Sequence, residues 1–249
     1  MKTNLRLIGG KRLQSPNNIY TRPTTLRVRE ALFNILNNRV ENSNWLDLFS
    51  GTGAISCEAY NHGARKIIAI EKNKINSRIC LENLLSLEDI ENRENDIEVI
   101  CKDVLNWTKP NYERKSLSKG IDFNKLKFDF VYLDPPYIPL SKTSSFTRYA
   151  DAGFDATDQA NLANAVRVLD SRGVSFLASN SFTESVFELY QVFILLKYQQ
   201  KEQSIVRVTR GGLSKNCSLP TEAADEPLNL SPCITVVLLE FRPRGIETG

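Results

Sequence analysis

Histidine is almost absent. His62 is the only one among 249 residues, which removes histidine-based metal sites and Ser-His-Asp catalysis from consideration. Cysteine is sparse and dispersed. Cys57, Cys80, Cys101, Cys217 and Cys233 lack metal-ligand spacing, and an odd, scattered set reads as reduced, mostly buried thiols. No metal site is expected. There is no apolar stretch of membrane-spanning length and no signal-peptide pattern, so a soluble cytoplasmic protein without membrane contact is expected. No internal repeat is visible. Net charge is only +3, but it is unevenly spread. Residues 1–40 carry eight basic side chains against Glu30 alone, a net of +7, which leaves −4 for the remainder. A basic arm on a mildly acidic body points to phosphate contact, with Arg22, Arg27 and Arg29 as candidate nucleic-acid contacts. Part of the Arg27, Arg29, Glu30 cluster also reads as material for internal ion pairs.

With 41% hydrophobic residues the chain can bury a full core. Short apolar runs alternate with helical patterns, which predicts an α/β fold with a mostly parallel, doubly wound sheet. Helices are expected over 24–38, with Thr24 as N-cap, over 54–60, from Glu71 to about Leu87 and over 157–169. Strands are expected at 45–49, 66–70, 97–101, 128–133 and 174–178. Tyr190–Tyr198 and Ile234–Phe241 read as a C-terminal antiparallel hairpin. Residues 1–20 read as a strand or arm with a turn at Ser15-Pro16-Asn17-Asn18. The expected division is an arm and helix over 1–40 and one catalytic domain over 41–249.

Asp134-Pro135-Pro136-Tyr137 follows the apolar run ending at Leu133. Two prolines fix φ and remove N–H groups, which leaves the carbonyls there free to accept hydrogen bonds. Asp134 is a second acceptor, and Tyr137 offers a face for stacking. An exocyclic amine on a nucleobase needs two acceptors for its protons and a ring to lie against. Taken alone, the tetrapeptide is also compatible with a plain strand-ending turn. Upstream, Trp45 to Phe49 runs into Ser50-Gly51-Thr52-Gly53 and then a helical pattern. A strand passing through a glycine turn into a helix is a nucleotide-binding arrangement. The third glycine of the dinucleotide fingerprint is replaced by Ser56, which weakens NAD or FAD and leaves S-adenosylmethionine (SAM) as the better ligand. Glu71, at the end of the second strand and 20 residues past the turn, is placed for ribose hydroxyls; its other reading is a helix N-terminal acid. Asp103 after the third strand is a candidate acceptor for the adenine amine, or an ordinary N-cap. Asp47, Phe49, Gly51, Gly53, Glu71 and Asp103 are thus the expected cofactor residues. Asp134, Pro135, Pro136 and Tyr137 are the expected catalytic ones. Phe146 and Asn180 are candidates for the base pocket, or a core-packed aromatic and a turn residue.

These residues carry two resemblances. Leu7-Ile8-Gly9-Gly10-Lys11, Thr21-Arg22-Pro23-Thr24-Thr25, Val28 to Asn34 and Leu48 to Gly53 resemble the bacterial guanine-N2 methyltransferases of small-subunit ribosomal RNA, over residues 5–136. Asp134 to Ser141, Thr143 to Thr147, Gly153-Phe154, Asp158-Gln159 and Ser179-Asn180-Ser181 are similar to the DNA adenine-N6 methyltransferases of the Dam type, over residues 128–190. The resemblances imply a class I, Rossmann-like, SAM-dependent methyltransferase fold. They imply methyl transfer to a nucleobase amine by a monomer. The favoured target is guanine N2 of ribosomal RNA or a small-subunit assembly intermediate. DNA adenine N6 in duplex DNA is the alternative, and SAM or nucleic-acid binding without turnover is a third reading. The DNA enzymes carry a recognition domain between glycine turn and tetrapeptide, and this chain has only a short polar stretch there.

Overall fold

The computed structural model describes residues 5–16, 24–87, 96–104, 128–136, 154–181 and 184–190, with the backbones of strands at 194–199, 204–209, 212–214 and 235–240. The chain divides into two compact units, Met1–Leu133 and Asp134–Gly249.

The first unit is built on four parallel strands. β1 (Asn44–Asp47) pairs with β2 (Lys66–Glu71) on one side and β4 (Phe130–Leu133) on the other, and β3 (Asp96–Cys101) pairs with β2. Trp45, Leu46, Ile67, Ile68 and Val131 have no solvent exposure. Strands covered on both faces must be apolar in continuous runs, which is how β1, β2 and β4 read. The order β3-β2-β1-β4 means that the chain steps outward from β1 to β3 and then returns to the far side of β1. That reversal is a topological switch point, and the crevice at the carboxyl ends of β1 and β4 is where open α/β sheets bind ligands.

Helix α1 (Leu26–Leu36) is capped by Thr25, whose side chain accepts from the Val28 N–H. The cap expected at Thr24 is thus one residue early; Thr25 is the residue with extended backbone. Phe33 of α1 stacks on Trp45 of β1 at 6.0 Å, and Trp45 stacks on Phe130 of β4 at 4.8 Å. Burying three aromatics in one column anchors the helix, and truncating such a residue costs about 3–5 kcal/mol. Helices α2 (Ala54–Asn61) and α3 (Lys74–Leu85) follow β1 and β2. The Asn73 side chain caps α3, accepting from Ile75 N–H at 2.9 Å and Asn76 N–H at 3.1 Å.

Residues 5–13 form a small hairpin rather than a free arm. Arg6 and Arg12 bridge antiparallel, Leu7 N–H donates to Lys11 O at 2.9 Å, and Leu13 N–H donates to Leu5 O at 2.9 Å. The turn falls at Ile8-Gly9-Gly10, where Gly10 has φ +85° and its N–H donates to Leu7 O at 2.8 Å. Leu5, Leu7 and Leu13 are buried, so apolar side chains pin the basic segment to the unit.

In the second unit, α4 (Ala156–Ser171) opens with a capping box between Asp155 and Asp158. It is followed by β5 (Ser175–Ser181) and α5 (Glu184–Tyr190). β5 pairs antiparallel with β9 (Thr235–Glu240), β9 with β6 (Ile194–Gln199), β6 with β7 (Ser204–Thr209), and β7 with β8 (Gly212–Ser214). The two segments expected as a hairpin do pair, but β7 and β8 come between them in the chain. β7 is hard to see in the sequence because Arg207 interrupts its apolar run Ile205, Val206, Val208.

Candidate active site

The glycine turn is held in place from several sides. Leu48 N–H donates to Tyr132 O at 3.0 Å, carrying the β1–β4 pairing past the strand end, and Ser50 N–H donates to Ile70 O at 3.0 Å. Gly51 and Gly53 both sit at positive φ, +54° and +80°, and Gly53 N–H closes a tight turn onto Ser50 O at 2.7 Å. At Gly51 only the backbone angle demands glycine, because an added Cβ would meet nothing within 4 Å. At Gly53 space demands it too: a Cβ would lie 2.6 Å from the Cys80 Sγ.

Asp47 ends β1 fully buried. Its Oδ2 accepts from the Ser56 hydroxyl at 2.6 Å. Serine at the third fingerprint position thus ties the first turn of α2 to the end of β1, and Asp47 braces the turn from below. Phe49 is half-buried at the start of the loop. Glu71 ends β2 with its carboxylate turned to the loop. Oε2 accepts from Gly51 N–H at 2.9 Å and Oε1 from Asn73 N–H at 2.7 Å. A carboxylate offers about four lone-pair sites, so acceptor capacity remains for a ribose hydroxyl beyond these backbone donors. Burial pushes the Glu71 carboxyl above its ordinary 4.5, opposed by the N–H donors of Asn73 and Gly51. Asp103, at the carboxyl end of β3, pairs with Lys72 at 2.9 Å and is only partly exposed. Asp134 directly follows β4 and is half-buried, and Pro135 is buried. Tyr137, Phe146 and Arg22 lie outside the described residues. Among the described residues no cluster of His, Cys, Asp and Glu could hold a metal.

The assignment of Arg29 to nucleic acid is corrected. Arg29 is 1% exposed. Its Nε pairs with Glu58 Oε1 at 3.1 Å, one terminal nitrogen donates to Thr24 O at 2.5 Å, and the other donates to Arg6 O. Glu58 also accepts from Ile8 N–H at 2.9 Å. This arginine joins α1, α2 and the hairpin inside the unit, out of reach of a phosphate backbone. The signal was present: Arg29 shares a helix face with Leu32, Phe33 and Leu36. Arg27 on the same helix is exposed. Asn180 is the penultimate residue of β5, fully buried and in register with Val236.

A family model described as "Conserved hypothetical protein 95" matches residues 5–145, more than half of the chain. The chain belongs to that family. A second model, "D12 class N6 adenine-specific DNA methyltransferase", matches residues 93–204. "Ribosomal RNA small subunit methyltransferase D" of Buchnera aphidicola subsp. Baizongia pistaciae is 34% identical over 141 residues, covering 54% of this chain and 62% of that protein. Its Escherichia coli (strain K12) namesake is 30% identical over 137 residues, covering 53% and 60%. "Type II methyltransferase M1.LlaDCHI" of Lactococcus lactis subsp. cremoris is 49% identical over 71 residues, covering 28% and 25%. The chain therefore spans about a quarter of the type II methyltransferase and under two thirds of the ribosomal RNA methyltransferases. Among the described residues no helix is long and apolar enough to cross a membrane.

Proposed function

We propose that this protein transfers a methyl group from SAM to an exocyclic amine of a nucleobase, with guanine N2 of small-subunit ribosomal RNA as the target. The observation that carries the cofactor reading is the bond between Gly51 N–H and Glu71 at the switch point. It sets a half-buried carboxylate with spare acceptor capacity beside a turn of two left-handed glycines. The residues fit the group. Gly51 and Gly53 let the backbone approach it, Glu71 would accept from the ribose hydroxyls, and Asp103 would accept from the adenine amine. When bound, SAM supplies an electrophilic methyl on a sulfonium. The chain's own part is to make the amine a nucleophile. Its lone pair is delocalised into the ring, so Asp134 and the Pro135 carbonyl would accept hydrogen bonds from its N–H groups and let the nitrogen pyramidalise. Tyr137 stacks on the base, which must be unpaired or flipped out to reach such a pocket. Positioning and exclusion of water supply much of the rate. No covalent enzyme intermediate is required, and Cys57 and Cys80 are buried, with Cys80 pushed up to about 12 by desolvation.

The ribosomal target is supported by the family match over 5–145 and by relatives named for ribosomal RNA. DNA adenine N6 is the second reading, favoured by the match over 93–204, which contains Asp134 to Pro136. The test is transfer of radiolabelled methyl from SAM to immature small ribosomal subunits and, in parallel, to unmethylated duplex DNA. Digestion and chromatography name the base. N2-methylguanine in RNA is expected. N6-methyladenine in DNA would replace the first reading with the second, and no label with SAM still bound would refute both.

A further inference from the structure

Asn83 lies on α3, outside every cofactor or catalytic assignment made above, and is 1% exposed. Its amide makes three hydrogen bonds. Oδ1 accepts from Gln14 N–H at 2.7 Å, and Nδ2 donates to Gln14 O at 3.0 Å and to Thr52 O at 2.9 Å. The pattern fixes the amide orientation, since a flip would set NH₂ against an N–H and oxygen against two carbonyls. It also restricts the residue type. Aspartate lacks the donors, lysine lacks the acceptor, and glutamine is one methylene too long.

The third bond is the informative one. Thr52 is buried and stands between Gly51 at φ +54° and Gly53 at φ +80°. Left-handed glycines on both sides of Thr52 leave the Thr52–Gly53 peptide free to rotate unless its surroundings hold it. Glu71 holds the turn by the Gly51 N–H, and Asn83 holds it by the Thr52 carbonyl. Gln14 comes directly after the hairpin strand that pairs Leu13 with Leu5. The same amide thus connects the N-terminal hairpin to the glycine turn, across 69 residues of sequence on one side and 31 on the other.

We infer that Asn83 is a positioning residue for the cofactor turn, bracing Thr52 against the docked N-terminal hairpin. The inference deepens the SAM reading, and its test separates the two. In Asn83→Ala without cofactor, amide hydrogen exchange over residues 49–56 should quicken at least tenfold, with β2 unchanged. SAM should then bind at least fivefold more weakly, with KM for SAM raised in proportion and kcat at saturating SAM within about twofold of wild type. A lowered melting temperature with unchanged turn exchange and unchanged SAM affinity would overturn the inference, because that is the signature of packing alone. If the wild-type protein takes up no SAM, the cofactor reading falls and turn exchange alone decides the role of Asn83. Should Asn83→Ala fail to fold, Gln14→Pro removes the N–H that Oδ1 accepts while leaving Asn83 and an exposed position otherwise intact. Turn exchange at least twofold faster is expected there, and exchange equal to wild type would overturn the inference.

Discussion

Glu71 is pulled in two directions. Burial favours its neutral form, while the N–H groups of Gly51 and Asn73 reward the carboxylate. Burial is the larger effect, so the carboxyl titrates above 4.5. The proposed ribose contact needs the ionised form, as does acceptance of both backbone N–H bonds. SAM affinity should therefore fall as pH is lowered through a midpoint above 4.5, and Glu71→Gln should bind SAM weakly with a flat profile. Isothermal titration across pH 4.5 to 8 reads this, and an unchanged profile in the variant would remove Glu71 from the site. In the unliganded fold the sign is the reverse. A raised carboxyl pKa means that the folded state holds the proton more tightly, so the stability present below 4.5 is lost as pH rises through the folded value. Thiol reactivity is a second residue-scale expectation. Cys57 and Cys80 are buried and raised by desolvation, whereas Cys101 is exposed. Iodoacetamide on the native protein should label Cys101 and spare Cys57 and Cys80 until denaturant is added. Peptide mass mapping checks it, and early labelling of Cys80 would contradict its packing against Gly53.

Elements in this chain are joined by a few buried polar residues. The Arg29–Glu58 pair, with the Arg6 carbonyl and Ile8 N–H, locks the hairpin, α1 and α2 together. Glu58→Gln leaves a buried guanidinium without its counter-charge and should cost about 3–5 kcal/mol. The double replacement Arg29→Met with Glu58→Leu should recover most of it, since no charge is then stranded. Urea midpoints of the three variants measure this, and a double variant as weak as the single would show that the pair is worth more than its desolvation. The same network explains what sequence reading could reach. β1, β2 and β4 were legible because strands covered on both faces are continuous apolar runs. The helices were legible from their period, and the glycine turn and Glu71 from local spacing. The docking of the basic segment was not. Its partners Glu58 and Asn83 lie 50 and 69 residues away from Ile8 and Gln14, and the positive charge of the segment masked the apolar Leu5, Leu7 and Leu13. Ser56 was visible as a departure from the fingerprint, but its bond to Asp47 appears only when α2 folds back over the end of β1.

At the scale of the molecule, the groups assigned to cofactor and to chemistry fall on either side of one chain position. Asp47, Gly51, Gly53, Glu71 and Asp103 belong to the unit that ends at Leu133, and Asp134 opens the next. Among the described residues, Ser50, Ile70, Glu71 and Asn83, with Asp47 and Ser56 beneath, hold the glycine turn by hydrogen bonds within the first unit. Binding of SAM and activation of the amine should then be separable by substitution. On the proposed mechanism Asp134→Ala removes an acceptor needed only as the amine loses its flatness, so its loss should fall on the transition state and not on cofactor binding. Methyl transfer to the proposed RNA substrate should drop on the order of a hundredfold or more, while the SAM dissociation constant stays within about twofold of wild type. Single-turnover transfer and calorimetric SAM binding on the same preparation measure the two quantities side by side. Equal losses in both would mean that Asp134 serves the cofactor, and transfer at the wild-type rate would mean that another group takes the amine protons.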